Sequence, residues 1–213
     1  MLQFYYHPLS PLARRVWIAL LEKKLSFESI IVNLKDGEQF QPDFLKLNPF
    51  HHVPVIVDDG FRVIESLAIL DYLEIKYPEI SLLPNDGETL AKVRMVQMVT
   101  CSELSSQILP LILDSEDTLK ITKAKRNIKR ILGFFSEMLG DNNYFGGKQF
   151  TVGDIVAGNA VVLINKLGFD VSDFPNIDAW NQRLQSREVW QKTQPNQEQL
   201  TGWVKFIREW LKQ

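Results

Sequence analysis

The stretch Asn48-Pro49-Phe50-His51-His52-Val53-Pro54-Val55 constrains this chain more than any other. Pro54 stands directly before the β-branched run Val55-Ile56-Val57, and a proline in a sheet belongs at the first residue of a strand, where no ladder donor is needed. A cis Val53-Pro54 bond, which costs only about 0.5–1 kcal/mol at proline, would leave the N–H and C=O of Val53 turned outward. An extended, peptide-like ligand can pair with such a residue as an added strand. After Asp58-Asp59-Gly60, which reads as a hairpin turn, Glu65-Ser66 opens a helix. With Ser66 as N-cap of a helix over Leu67 to Lys76, its hydroxyl, the first backbone N–H groups and the helix dipole make a place for a carboxylate.

The segments around this stretch set the fold class. Leu2 to Tyr6 alternates like a strand, and from Pro11 the spacing becomes helical, with Leu12, Val16, Ala19 and Leu20 on one face and Arg14, Arg15, Glu22 and Lys23 expected in solvent. Phe27 to Val32 predicts a second strand, and Pro42 to Leu47 a short helix stopped by Asn48-Pro49. The order β-α-β, short α, β-β-α is that of a thioredoxin-like α/β domain, because the first unit needs a right-handed parallel crossover and the Asp-Gly turn an antiparallel hairpin. We place this domain at residues 1–77 and a Pro- and Gly-punctuated linker at 78–87. An all-α helical domain follows at 88–213, with helices near Glu88–Leu113, Thr118–Leu139, Val152–Leu167, Ile177–Arg187 and Gln197–Leu211. Thr151 and Asp154 have the spacing of a capping box at the start of one of these.

Bulk properties exclude several classes. A formal net charge of -2 gives no basic footprint, so nucleic acid is not expected as a partner. Cys101 is the single cysteine, which rules out an intrachain disulfide or a dithiol motif and fits a reducing compartment. No basic and apolar leader opens the sequence and no apolar run is expected to approach membrane-spanning length, so the chain reads as cytoplasmic, away from any membrane.

Ser10 lies in the turn between the first strand and the first helix, four residues before Arg14. A dithiol oxidoreductase of this fold carries its reactive cysteine there, but Ser10-Pro11-Leu12-Ala13 contains no sulfur. Any thiol chemistry must therefore arrive with a ligand.

With these residues, the chain resembles a cytosolic glutathione transferase of the serine type, nearest in pattern to the delta and theta classes. The resemblance covers the whole chain and rests most on Val53-Pro54 together with Glu65-Ser66, with the Thr151-to-Asp154 box in support. It implies glutathione as co-substrate rather than a resident cofactor, with the cysteinyl backbone on Val53 beside Pro54 and the γ-glutamyl end on Glu65 and Ser66. His51 and His52 are then the candidates for the glycine carboxylate, and Gln39 stands where a delta-class protein has another histidine. Ser10 would donate its O–H to the glutathione sulfur, and Tyr6, near the end of the first strand, is the alternative donor. The resemblance also implies a small hydrophobic electrophile as second substrate, with Leu12, Met98, Ser102 and Glu103 as its expected surroundings. Conjugation is the leading reaction, with peroxide reduction, dehalogenation and isomerisation as relatives of it. It further implies detoxification, and a homodimer formed across the helix at Glu65 to Lys76 and the first helix of the second domain.

The chemistry has a simple magnitude. A thiol with a pKa near 8.5 is only about 3% thiolate at pH 7, so complete ionisation gains about 30-fold in nucleophile. Lowering that pKa by two units takes about 2.7 kcal/mol, which a hydrogen bond to the anion and a helix N-terminus supply between them. Further acceleration has to come from holding the electrophile beside the sulfur.

Other readings of the same residues are plainer. Ser10 is also a good helix N-cap, and a non-catalytic binding or scaffold protein of the same fold is the alternative function. His51 and His52, as neighbours on an extended segment, would point apart and share no metal ion. The basic residues Lys120, Lys123, Lys125, Arg126, Lys129 and Arg130 read as a solvated helix face, and Trp203, Phe206, Ile207 and Trp210 as core.

Overall fold

A computed structural model describes residues 1–113 and 118–210 of the chain. Its contacts divide the chain into two compact units, one of residues 1–81 with Lys192–Phe206 and one of Leu82–Gln191 with the last turn of the final helix from Ile207. The sequence expectation places the first domain at residues 1–77, the linker at 78–87 and the helical domain at 88–213.

The first unit is built on a four-stranded sheet in the order β2-β1-β3-β4, with β1 at Leu2–Tyr6, β2 at Glu28–Ile31, β3 at Val55–Asp58 and β4 at Phe61–Ile64. β1 and β2 are parallel, and α1 (Pro11–Glu22) makes the crossover between them. β3 and β4 are antiparallel hairpin partners that turn through Asp59 and Gly60, both at positive φ. Gly60 suits that conformation because it carries no Cβ. A short 3-10 turn at Glu38–Phe40 and α2 (Pro42–Leu47) fill the path from β2 to β3, and α3 (Ser66–Lys76) follows β4. This is the thioredoxin-like arrangement expected from the element order.

Alternation along β1 puts Leu2, Phe4 and Tyr6 into the core, where they meet Ala13, Val16 and Leu20 of α1, Val55 and Ile56 of β3, and Ile69 and Leu73 of α3. Fully burying a side chain of this kind stabilises by about 1.5–3 kcal/mol, so this apolar cluster is the main force holding the sheet to its helices.

The charged residues of α1 correct the sequence reading. Arg14, Arg15 and Lys23 are buried rather than solvated, and Glu22 is half-buried. Lys23 Nζ donates to Glu74 at 2.8 Å and to the Ile80 carbonyl at 2.6 Å, so a buried ion pair joins the end of α1 to α3 and the segment after it. Arg14 Nε donates to Thr193 Oγ1 at 3.3 Å and Nη2 to Gln194 Oε1 at 2.7 Å. These partners lie outside the reach of helical periodicity, which sees only the residues of one helix.

The second unit is helical. α4 (Gly87–Val99), a π-helical turn (Thr100–Leu104) and α5 (Ser105–Leu113) run on from one another. α6 (Thr118–Leu139), α7 (Val152–Lys166) and α8 (Pro175–Gln185) follow in this unit, α9 (Glu188–Thr193) runs past its boundary at Gln191, and α10 (Gln197–Trp210) begins in the first unit. The expected helix boundaries fall within a few residues of these, α9 was not expected, and Leu211 lies outside the described residues. Residues 87–113 are long and apolar enough to cross a membrane by length and composition, contrary to the sequence expectation. The uncounted contribution is the uninterrupted continuation of α4 into α5, and the run packs against α6 and α7.

α7 forms the centre of this unit, buried from Val152 to Ile164. Gly158 is required there: a Cβ would stand 2.3 Å from Leu184 and 2.8 Å from Trp190. The capping box is present. Asp154 accepts hydrogen bonds from Thr151 N at 2.9 Å and Thr151 Oγ1 at 2.8 Å, and also from Phe145 N at 3.0 Å and Trp180 Nε1 at 2.9 Å. The residues Trp203, Phe206 and Ile207 are half-buried and Trp210 is exposed, so they do not form the expected core; Leu200 is the buried residue of α10.

Candidate functional site

Strand register brings three of the segments singled out in the sequence to one end of the sheet. Tyr5 pairs with Val55, so the end of β1 and the turn to Ser10 lie beside the start of β3, where Val53 and Pro54 sit. Val55 also pairs with Ile64, so Glu65 and Ser66 leave β4 at that same end. β2 finishes there too, with Val32 N donating to the Tyr6 carbonyl at 2.8 Å, and leads into the turn that contains Gln39.

Ser10 is the N-cap of α1 and is almost fully buried. Its Oγ accepts from Ala13 N at 3.3 Å. A serine hydroxyl has two acceptor lone pairs and one donor, and the cap uses an acceptor, so capping and donation to a sulfur are compatible. Tyr6 is placed differently. Its ring is stacked on Phe4 at 4.7 Å, tilted against Trp17 at 5.2 Å, and belongs to the apolar cluster.

The Val53-Pro54 bond is cis, and Val53 precedes the first laddered residue of β3, with its side chain in the core. The loop before it is organised by Asn48, a residue read in the sequence only as a helix stop. Asn48 is buried, its Nδ2 donates to the His52 carbonyl at 2.7 Å, and its Oδ1 accepts from Phe50 N at 3.0 Å. An asparagine before a proline-containing loop is the available signal, because asparagine side chains readily bond to backbone groups two residues on.

His51 has a left-handed φ of 51°, so the segment is not extended at that point. The rings of His51 and His52 lie edge to face at 5.1 Å instead of pointing apart, and His51 also meets Phe40 at 4.9 Å. His51 is half-buried and His52 exposed. Among the described residues, no three histidine, cysteine, aspartate or glutamate side chains converge as a metal site would require. Gln39 is buried with Nε2 on the Leu34 carbonyl at 3.3 Å, while its Oε1 has no hydrogen-bond partner among the described residues.

At the start of α3, Ser66 is the first helical residue rather than the N-cap. Glu65 occupies the cap position with φ 67° and ψ 118°, a conformation that turns the chain sharply from β4 into the helix. The shift of one residue has a physical origin: sequence preference favours serine as a cap, but the positive φ at Glu65 already breaks the strand there. Ser66 is buried and Glu65 exposed.

Leu12 is exposed on α1 in the first unit. Met98, Ser102 and Glu103 are exposed on the second unit, where Ser102 Oγ donates to the Met98 carbonyl at 2.9 Å and Glu103 lies 3.8 Å from Arg130. Cys101 is half-buried in the π-helical turn. Lys120, Lys123, Lys125, Arg126, Lys129 and Arg130 are exposed along α6.

Residues 9–75 match the family model of the glutathione S-transferase N-terminal domain, and residues 102–188 that of the glutathione S-transferase C-terminal domain. Glutathione S-transferase D7 of Drosophila melanogaster is 30% identical over 219 residues, covering 98% of this chain and 94% of that protein. The chain belongs to the glutathione S-transferase family. Among solved structures, a delta-class glutathione transferase of Nilaparvata lugens is similar at a TM-score of 0.84 and 25% identity, over 98% of this chain and 99% of that one. A glutathione transferase of Burkholderia graminis, solved with two glutathione molecules per subunit, is similar at 0.81 and 26% identity, over 90% and 86%.

Proposed function

We propose that this family member is a serine-type glutathione transferase that activates the glutathione thiol for attack on small electrophiles. The observation that carries the reading is the register of β1, β3 and β4, which gathers Ser10, Val53 and Glu65-Ser66 at one end of the sheet. Glutathione is a short peptide with a carboxylate at each end and a thiol between them. Val53 offers the backbone edge for the cysteinyl residue. Ser66 and the first N–H groups of α3, an eleven-residue helix, meet the γ-glutamyl carboxylate, and Glu65 its ammonium group. His51 and His52 are assigned to the glycine end, with Gln39 in a supporting place because its amide already serves the Leu34 carbonyl.

Ser10 is assigned as the catalytic hydroxyl. Its cap bond leaves the O–H to stabilise a thiolate, and the N-terminus of α1 adds its dipole at the same point. The packing of Tyr6 among Phe4 and Trp17 supports Ser10 over the phenol. Bonding of the sulfur anion lowers the thiol pKa; the thiolate then attacks the electrophilic carbon, a new C–S bond forms, and the leaving group departs with the electron pair of the broken bond.

For electrophile selectivity we assign Leu12, Met98, Ser102 and Glu103 as the residues to vary. A homodimer across α3 and α4 belongs to the same proposal, supported by the exposure of Ile75 and Met95 on those helices. Steady-state conjugation of glutathione to an activated aryl chloride tests the function. Turnover that Ser10→Ala abolishes and Tyr6→Phe preserves is expected. Glutathione binding without turnover over a panel of electrophiles would instead establish a non-catalytic binding protein.

A further inference from the structure

Between the last residue of β1 and the first of α1 the chain has only His7, Pro8, Leu9 and Ser10. Pro8 has no N–H, so beyond His7 the turn has two backbone donors, those of Leu9 and Ser10. Both end on the same residue. Ser10 N donates to the His7 carbonyl at 3.0 Å, closing a four-residue turn with proline at its second position, where its fixed φ is favourable. Leu9 N donates to the His7 ring at Nδ1, at 3.2 Å. Ser10 in turn starts α1, its carbonyl accepting from Arg14 N at 2.9 Å and its Oγ from Ala13 N at 3.3 Å. Tyr6 is fixed to β2 through Val32 N. His7 is therefore the residue that ties Ser10 to the end of the sheet.

We infer that His7 is a positioning residue for Ser10: its neutral imidazole, as acceptor for Leu9 N–H, holds the turn in the shape that aims the Ser10 hydroxyl at the ligand thiol. The inference rests on the assignment of Ser10 as the thiol-activating group. An Nδ1 that accepts from Leu9 must keep its lone pair, so the ring carries its proton on Nε2. His7 is half-buried, and burial lowers its pKa from the ordinary histidine range, which favours this neutral form at pH 7. No bulk apolar side chain could replace the ring, because Leu9 N–H would lose its acceptor while Ser10 N–H kept its own. Asparagine could, since its Oδ1 branches from the same position as Nδ1 and bonds naturally to the N–H two residues on.

The test compares wild type, His7→Phe, His7→Asn and Ser10→Ala as full chains. The readout is the pH titration of the ultraviolet thiolate band of bound glutathione, beside its dissociation constant and an imidazole 15N spectrum of the wild type. His7→Phe is expected to raise the bound-thiol pKa by about one unit, from about 6.5 to about 7.5, a roughly threefold loss of thiolate at pH 7. The glutathione dissociation constant should move far less, and His7→Asn should restore most of the shift. The 15N spectrum should show the Nε2–H tautomer. A His7→Phe protein with the wild-type thiol pKa, a His7→Asn protein no better than His7→Phe, or a ring protonated at Nδ1 would each overturn the inference. If His7→Phe does not fold, His7→Asn and the tautomer decide it. Ser10→Ala separates the two levels: a thiol pKa unmoved by Ser10→Ala defeats the assignment of Ser10, whereas one moved by Ser10→Ala and unmoved by His7→Phe defeats only the role of His7.

Discussion

Asn48 reaches across its own loop to His52, Nδ2 to carbonyl at 2.7 Å, while its Oδ1 takes Phe50 N at 3.0 Å. One buried amide thus shapes the whole approach to Val53. Asn48→Ala removes both bonds and leaves two backbone groups to find other partners, at a cost of about 1–3 kcal/mol. The expected result is a glutathione dissociation constant raised about tenfold or more, read by calorimetry, with a smaller fall in melting temperature. A melting temperature that falls while affinity stays unchanged would mean that the loop does not serve the ligand.

Glu65 separates backbone geometry from side-chain chemistry. A non-glycine residue at φ 67° and ψ 118° is held in a sparsely populated conformation that costs about 1–3 kcal/mol. Glu65→Gly relieves that cost and removes the carboxylate. Glu65→Gly is expected to melt at or above the wild-type temperature yet bind glutathione more weakly, and Ser66→Ala to share the weaker binding alone. Unchanged affinity in Glu65→Gly would assign Glu65 to the fold.

These two positions show what was legible in the sequence. Proline punctuation, the Asp-Gly hairpin and the change from period two to helical spacing placed most elements near their observed positions, because those are local rules. Ser66 was displaced by one residue because the strand exit is fixed by the backbone of Glu65, a feature no composition reveals. Arg14, Arg15 and Lys23 were misread as solvated because their burial is made by Glu74, Ile80, Thr193 and Gln194 or by packing distant in sequence. The short α9 was missed and the stripe of α10 was read as core for the same reason: their environment is tertiary.

The buried pair Lys23–Glu74 makes a clear energetic prediction. Removing one member leaves the other buried charge without its counter-ion, although Lys23 keeps the Ile80 carbonyl and Glu74 keeps the Ser81 hydroxyl, so Lys23→Met and Glu74→Leu should each lose about 3–5 kcal/mol in urea unfolding. The double variant should lose clearly less than the sum. Additive losses would show that the two side chains act independently.

Asp154 gives the pH dependence. Its complete burial raises its carboxyl to about 6, although Phe145, Trp180 and Thr151 all donate to it. Between the ordinary carboxylate range near 4 and this value the folded state binds more protons than the unfolded one. The contribution of Asp154 is thus fully present below pH 4 and is lost as pH rises through about 6, by about 3 kcal/mol. Stability measured from pH 4 to 7 should therefore carry a downward component that is missing in Asp154→Asn. Asp154→Asn should also be less stable throughout, because its amide nitrogen faces donors at one of the two carboxylate positions. A wild type and a variant with the same slope over this range would contradict the assignment.

Ser10 is assigned to lower the pKa of a bound glutathione thiol. Its most direct test is the ultraviolet thiolate titration of glutathione bound to wild type, Ser10→Ala and Tyr6→Phe. The wild-type thiol pKa is expected about two units below the free value near 8.5, returned toward it by Ser10→Ala and left in place by Tyr6→Phe. A bound thiol with an unshifted pKa in the wild type, or a shift that survives Ser10→Ala and disappears in Tyr6→Phe, would contradict it.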